Sequence, residues 1–224
     1  MDLVKQALGQ AALNFIKPNM LVGLGTGTTA AHFIQAIAKR CEKGLKIKAV
    51  ASSNESNLLA KNLKIPLVDI SEIDTLDIYV DGADEVDINK QMIKGRGGAL
   101  LKEKILAKSS KKTIIMIEKK KYVEKLGKCQ LPVEITKFAK NLTKNRLDTL
   151  GYSSKYRMDK NSDIFVTDDQ NYILDVKLTN LIQDPVGLSK KIKLIPGVVE
   201  SGLFIDLLNT LIIANSDAKI EIIS

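Results

Sequence analysis

The stretch TLDIYVDGADEVD, Thr75–Asp87, decides the fold. It opens as a strand: Leu76, Ile78 and Val80 alternate with Asp77, Tyr79 and Asp81, which sends the two sets to opposite faces. It then breaks at Gly82 and crowds Asp81, Asp84, Glu85 and Asp87 together. In open α/β sheets ligands bind beyond the carboxyl ends of the strands, which is where Asp81 falls. Gly82 permits a sharp turn that brings Asp84 back beside Asp81. Three readings compete for this charge: a magnesium site, a solvated acidic turn, and carboxylates placed to move protons. A calcium loop is set aside, because it needs a different oxygen spacing and a distant bidentate glutamate. Glu85 and Asp87 are expected to be solvated turn residues.

Outward from this strand the pattern repeats. MLVGLG (20–25) reads as a buried strand, TAAHFIQAIAKR (29–40) as a helix, LKIKAVAS (45–52) as a strand and ESNLLAKNLK (55–64) as a short amphipathic helix. The short run PLVDI (66–70) precedes the central strand, and the helix ALLKEKILAKS (99–109) and the strand KTIIMIE (112–118) follow it. Strands alternating with helices in short units imply a doubly wound, Rossmann-like α/β domain with a parallel sheet. The pattern changes at LPVEI (131–135). A helix over 138–151, strand-like runs SSKYRM (153–158), DIFVTDD (163–169) and YILDVKL (172–178), a helix from DPVGLSKKI (184–192) and a strand GVVESGLF (197–204) follow. DIFVTDD and YILDVKL are expected to pair through the DDQN turn. The order suggests a smaller ferredoxin-like α+β domain of split βαβ type. TLIIANSDAKIEII (210–223) reads as a hairpin that returns to the first sheet. The expected domains are therefore residues 1–130 plus 206–224, and 131–205.

Composition narrows the function classes. With 224 residues, 45% hydrophobic and 27% charged, the chain can bury a substantial core. No apolar run reaches membrane-spanning length, and the N-terminal segment is amphipathic with an acidic second residue, unlike a signal peptide. A cytoplasmic location with no membrane partner is expected. Cys41 and Cys129 lie far apart without ligand-like neighbours, so they are expected to be reduced thiols. His32 is the only histidine and falls within a predicted helix, which argues against a catalytic triad or a histidine metal site. The net charge of +8 comes mostly from scattered lysines with few aromatics, so no nucleic-acid partner is expected. An anionic small molecule accounts for it better.

Two further stretches can carry chemistry. GLGTGTTA, Gly23–Ala30, sits between a strand and a helix, where glycines and free amides suit an anion, and Thr26, Thr28 and Thr29 add hydroxyls. Gly25, Gly27 and Ala30 also fit the dinucleotide pattern G-x-G-x-x-G/A. That reading needs an acidic residue at the end of the second strand, which instead ends in ASSN, so phosphate binding without a dinucleotide is preferred. KGRGGALLKEKILA, Lys94–Ala107, places a lysine and three glycines before a helix. Ala99, Leu100, Leu106 and Ala107 lie three or four positions from Glu103 and surround it on one helical face. A carboxylate desolvated by such neighbours has its pKa raised toward the range of a general base. Leu101 and Ile105 form a second apolar arc on the opposite side, and Lys102, Lys104 or Lys108 would make Glu103 a surface ion-pair partner if that arc packed inward.

In this order and spacing the stretches resemble ribose-5-phosphate isomerase of the A type. VGLGTGTTAAHFI, YVDGADEVD, MIKGRGGALLKEKI, KLGKCQLPVEI, NYILDV and IPGVVESGLF carry the resemblance across almost the whole chain. It implies a metal-independent, cofactor-free aldose–ketose isomerase interconverting D-ribose 5-phosphate and D-ribulose 5-phosphate through an enediolate, in the non-oxidative pentose phosphate pathway. It also implies a homodimer or homotetramer. Glu103 is then the base that shuttles a proton between C2 and C1, and Asp81, Asp84 and Lys94 bind the open sugar, assist ring opening and stabilise charge. Thr26, Gly27, Thr28, Thr29 and Lys121 are implied substrate contacts, chiefly to the phosphate, with Lys5 a further candidate. Gly82, Ala83, Gly95, Arg96 and Gly97 are implied to line the substrate. Arg96 replaces a glycine common in that loop, so its backbone must suit a side chain or its guanidinium must point away. ASSNES also lacks a threonine often found near its end. A non-enzymatic sugar-phosphate sensor and a nucleotide-dependent dehydrogenase are the alternative readings.

Overall fold

A computed structural model describes residues 2–224. In chain order the first half forms α1 (Asp2–Ala12), β1 (Leu21–Leu24), α2 (Thr28–Glu42), β2 (Lys48–Ala51), α3 (Asn54–Asn62), β3 (Ile78–Gly82), β4 (Glu85–Asp87), β5 (Met92–Ile93), α4 (Leu100–Lys108) and β6 (Thr113–Glu118). The second half forms β7 (Tyr122–Val123), β8 (Leu131–Ile135), α5 (Lys140–Asp148), β9 (Ser153–Tyr156), β10 (Tyr172–Lys177), α6 (Pro185–Lys193), β11 (Val198–Ser201), β12 (Leu203–Phe204), β13 (Thr210–Ala214) and β14 (Ile220–Ile223). Two compact units result. One holds the chain through Ala83 with Lys102–Tyr122 and Leu207–Ser224; the other holds Asp84–Leu101 and Val123–Asp206. This division differs from the boundary expected at residue 131. β4 and β5 pair with each other and β5 with β12, in a separate four-stranded sheet ordered β12-β5-β4-β7, which draws residues 84–101 into the second unit.

The first unit is built on a sheet ordered β14-β13-β6-β3-β1-β2. Its neighbours are parallel except for the antiparallel edge strand β14, so the C-terminal hairpin does return to this sheet. Counted among themselves, the parallel strands run 2-1-3-4-5, and the order reverses between β1 and β3. Such a reversal opens a crevice beyond the carboxyl ends of the two strands, the usual ligand position in a doubly wound sheet. One face buries Val22, Ile78, Val80 and Met116 against Leu8 of α1 and Phe33 and Ile37 of α2. The other face packs Val50 and Tyr79 against Leu106 and Ala107 of α4. Leu76 joins Tyr79 in that second cluster and not Ile78 and Val80, because it precedes the strand and makes an isolated bridge to Ser110. PLVDI forms no strand; Leu67 makes one bridge to Ala49, and a 3-10 turn follows at Ile70–Glu72.

The second unit contains an antiparallel sheet ordered β11-β8-β10-β9. Counted along the chain this is 4-1-3-2, the split βαβ arrangement with α5 and α6 as crossovers. DIFVTDD is not a strand and makes only the bridges Met158↔Ile164 and Val166↔Tyr172. β9 occupies that edge of β10 from Leu174 onward, so the expected hairpin closes only beside the DDQN turn, where Val166 bridges Tyr172 and the Thr167 amide donates to the Asn171 carbonyl (3.0 Å). GVVESGLF is two strands: β11 pairs with β8, and β12 pairs with β5. They part at Gly202, whose amide donates to the Pro132 carbonyl (2.7 Å) and whose carbonyl accepts from the Lys94 amide (2.9 Å). A β-carbon at Gly202 would strike the carbonyl oxygen of Lys94, so the crossing demands glycine. Among the described residues no helix is long and apolar enough to cross a membrane.

Candidate active site

The candidate groups divide between the units. In the first, Asp81 ends β3 beside the loop that follows β1, and it is fully buried. Its Oδ1 accepts from the amides of Thr26 (3.0 Å) and Gly82 (2.7 Å), and its Oδ2 accepts from the Tyr79 hydroxyl (2.5 Å). This assigns Gly25 a purpose that the glycine pattern alone left open. A β-carbon there would land within the Asp81 carboxylate. The loop glycine makes room for an acid of the same chain, and the Thr26 amide is directed at that acid. The dinucleotide reading loses support accordingly, and β2 runs out into serines: Ser52 shares a hydrogen bond with Thr26 Oγ1 (2.7 Å), while Ser56 Oγ donates to the Gly25 carbonyl (2.6 Å). ASSNES, with Ser53 capping α3 by accepting from the Ser56 amide, therefore braces the loop from behind.

Gly27 precedes α2 with φ +92°, a left-handed conformation that its lack of a side chain permits. Thr28 is exposed and Thr29 buried at the start of α2. Lys5 of α1 donates to Thr28 Oγ1 (2.7 Å), and Lys121 donates to the Ala83 carbonyl (2.6 Å). Glu118 has its pKa lowered, first by its bond to Lys120 and then, against burial, by the charges of Lys120, Lys121 and Lys5. Lys5 and Lys121 thus lie close enough to one acid to act on it together, near the positive end of α2.

On α4 the arc carrying Glu103 is the one that packs inward. Leu100, Leu106 and Ala107 are buried, Glu103 is 3% exposed, and Ile105 on the opposite arc is 49% exposed. Glu103 is therefore no surface ion-pair residue. Its charge reaches Tyr79, whose hydroxyl is held well above its usual pKa by burial first and then by the charges of Asp81 and Glu103. The three groups form one buried set.

In the second unit the glycine loop is held from several directions. Asp84 donates its amide to the Ile93 carbonyl (2.9 Å), and its Oδ2 accepts from the Arg96 amide (3.1 Å). Lys94 is 3% exposed, with its ammonium 5.4 Å from the centroid of the Phe204 ring. Gly95 (φ +102°) and Gly98 (φ +83°) take the left-handed positions, whereas Arg96 is outside that region and exposed, as is Gly97. The substitution at 96 is thus accommodated by an ordinary backbone. Arg157 clamps the same loop: Nη1 donates to the carbonyls of Gly95 (2.8 Å) and Arg96 (3.0 Å), while Nε and Nη2 donate to the two oxygens of Asp175 (3.0 and 2.5 Å).

Glu85 and Asp87 are not solvated turn residues. Each is 4% exposed, in β4. Glu85 accepts from the amides of Gly127 (2.7 Å), Lys128 (3.3 Å) and Cys129, fixing that loop. Asp87 Oδ1 accepts from Asn89 (2.9 Å) and Gln91 (2.8 Å) and closes the β4–β5 turn; burial raises its pKa against those donors. The carboxylates of DGADEVD thus have separate donor sets, and among the described residues no group of three or more His, Cys, Asp or Glu side chains could hold a metal ion. Tyr79, Ser52, Ser56, Arg157 and Asp175 were missed as supporting residues. The period of β3, which puts Tyr79 on the face of Asp81, was the one available signal; Arg157 meets its loop partners across 61 and 62 residues and left none.

Comparison with known proteins agrees with this arrangement. The family model for ribose 5-phosphate isomerase A (phosphoriboisomerase A) matches residues 48–218. A protein of Bacillus mycoides (strain KBAB4) named ribose-5-phosphate isomerase A is 44% identical over 214 residues, 96% of each chain. The solved ribose 5-phosphate isomerase of Plasmodium falciparum superposes with a TM-score of 0.96 at 34% identity, covering 100% of this chain and 99% of that one. A D-ribose-5-phosphate isomerase solved in complex with phospho-erythronic acid superposes with a TM-score of 0.95 at 33% identity, covering 100% and 98%. With the family model matching most of the chain and a 44% identical relative aligned over 96% of it, the chain belongs to the ribose 5-phosphate isomerase A family.

Proposed function

We propose that this chain interconverts D-ribose 5-phosphate and D-ribulose 5-phosphate through an enediolate. The observation that carries the reading is the buried Glu103, on the inward face of α4 and within electrostatic reach of the Tyr79–Asp81 pair. In the aldose-to-ketose direction Glu103 removes the proton from C2 and returns it to C1, while a hydroxyl proton passes from O2 to O1. Electrons are rearranged within the substrate, so neither an electron acceptor nor a metal enters the balance. Asp81 and Asp84 exchange protons with the sugar hydroxyls during ring opening and enolisation. Lys94, with amides of the loop at Gly95, Arg96 and Gly97, stabilises the developing oxyanion. The start of α2 at Gly27, Thr28 and Thr29, with Thr26, Lys5 and Lys121, takes the phosphate; Lys5 on Thr28 and the shared influence of Lys5 and Lys121 on Glu118 support this. Gly82 and Ala83 line the sugar.

The complex of a related isomerase with phospho-erythronic acid fits this chemistry. A phosphorylated aldonic acid carries a planar, anionic pair of oxygens at the end where an enediolate would form, so affinity for it is affinity for the intermediate. As part of the same proposal, the chain acts in the cytoplasm, in the non-oxidative pentose phosphate pathway, as a homodimer or homotetramer without nucleic-acid or membrane partners. Glu103→Gln tests the assignment: it is expected to fold and bind substrate while kcat falls by roughly 10²–10⁴. Near-normal turnover would overturn the base assignment. Activity should persist in excess chelator, and its abolition there would point instead to a metal at DGADEVD.

A further inference from the structure

Tyr79 sits in the hydrophobic cluster with Val50, Leu76, Leu106 and Ala107, and phenylalanine would fill that space equally well. Its ring lies so close to β1 that a β-carbon at Gly23 would be 2.7 Å from Cδ2. The hydroxyl is a different matter. A hydroxyl has one proton to donate, and here it goes to Asp81 Oδ2 (2.5 Å). Ser52 lies nearby: it lowers the hydroxyl's pKa against the larger effects of burial and charge, and its Oγ meets Thr26 Oγ1 (2.7 Å). The Thr26 amide donates to Asp81 Oδ1, so the loop after β1 and the Tyr79 hydroxyl hold the two oxygens of the carboxylate separately.

We infer that Tyr79 is a positioning residue of the isomerase reaction: its hydroxyl, holding Oδ2 while the Thr26 and Gly82 amides hold Oδ1, fixes the plane of the Asp81 carboxylate for proton exchange with the sugar. The inference rests on the proposed role of Asp81. Two amides hold Oδ1 and the Tyr79 hydroxyl holds Oδ2, so rotation of the carboxylate breaks at least one bond in a buried setting, where an unmade bond is costly. Burial and the neighbouring charges of Asp81 and Glu103 keep the Tyr79 hydroxyl protonated, so it serves as a constant donor and takes no part as an acid or base.

The test uses Tyr79→Phe, Asp81→Asn and the double variant, with kcat and KM from a direct isomerisation assay and thermal unfolding of each. Tyr79→Phe is expected to lower kcat by about ten- to a hundredfold, the rate equivalent of a lost charge-assisted hydrogen bond, with KM changed less than about threefold. In the Asp81→Asn background the same change should cost little more. If Tyr79→Phe proves less stable, kcat and KM measured below that variant's own unfolding temperature answer the question. A Tyr79→Phe enzyme with wild-type kcat, or an equal fractional loss with and without the Asp81 carboxylate, overturns the inference. Wild-type turnover by Asp81→Asn alone would instead overturn the role given to Asp81.

Discussion

Gly25 and the Asp81 carboxylate adjoin so closely that even a methyl group on the glycine would overlap the acid. Gly25 is not among the residues with positive φ, so space and not backbone freedom is what it supplies. Gly25→Ala should therefore push Asp81 away from Thr26 and Gly82, lowering stability by about 1–3 kcal/mol as overpacking does. Turnover should fall together with stability, as measured by urea unfolding and the isomerase assay. Wild-type stability in this variant would show that the loop yields freely.

Arg157 and Asp175 form a two-toothed pair whose remaining guanidinium nitrogen holds the Gly95 and Arg96 carbonyls. With 14% and 19% of their side chains exposed, they are mostly removed from water. Arg157→Ala leaves Asp175 and two carbonyls without these donors and should cost about 2–4 kcal/mol in chemical denaturation. It should also raise the KM for ribose 5-phosphate. Arg157→Lys should recover only part of either, because an ammonium cannot reproduce the fork.

Asp77 ties the start of β1 in place. Its pKa is lowered by its bond to Lys111 first and by the Leu21 amide second, against a small burial effect. A carboxylate whose folded-state pKa is depressed stabilises the fold above its unfolded value of about 3.9, and loses that contribution as pH falls through the folded value. Both side chains are partly exposed, at 65% for Lys111 and 33% for Asp77, so solvent limits the ion pair to about 1 kcal/mol or less. Asp77→Asn should accordingly be less stable than wild type at pH 7 and converge with it as the pH falls below the ordinary carboxylate range. A constant difference across that range would exclude the ionised form as the cause.

Both thiols should react slowly at neutral pH. Burial raises the pKa of Cys129, and the charges of Glu85 and Asp84 raise it further; burial also raises Cys41, partly offset by Arg40. A raised pKa leaves less thiolate, the form that attacks alkylating reagents. Iodoacetamide labelling at pH 7.5 is expected to be slower than for a free cysteine peptide, and slowest at Cys129. Rapid modification of Cys129 would contradict the packing around it.

The fold was legible where periodicity and local chemistry agree. β1, β3, β6 and the helices between them announced themselves because apolar residues recur at the spacing of a buried element. DIFVTDD had the composition of a strand but pairs with β10 only at Val166 and Tyr172, because β9 takes the rest of that edge, and that competition is not visible in DIFVTDD itself. GVVESGLF looked continuous because the fork at Gly202 answers to Lys94 and Pro132. The site divides the same way. Asp81, Asp84, Lys94 and Glu103 stand in dense local motifs, whereas Arg157 and Ser52 become meaningful only once the chain has folded back. Glu85 and Asp87 were misjudged because charge alone suggested water, while the backbone amides that bury them belong to a loop and a turn that charge does not reveal.

In the six-membered sheet of the first unit, β13 lies between β6 and β14 although it comes nearly a hundred residues after β6. During synthesis β6 therefore emerges with one margin bare, and it stays bare while the whole βαβ-type unit of residues 123–206 is being made. That later-synthesised module can close on its own contacts first, reversing the usual order in which N-terminal structure matures ahead of C-terminal structure. The waiting strand, TIIMIE, is apolar and rich in isoleucine, the kind of open margin that recruits foreign strands. Nascent chains stalled before residue 210 should thus be the ones that chaperones hold longest.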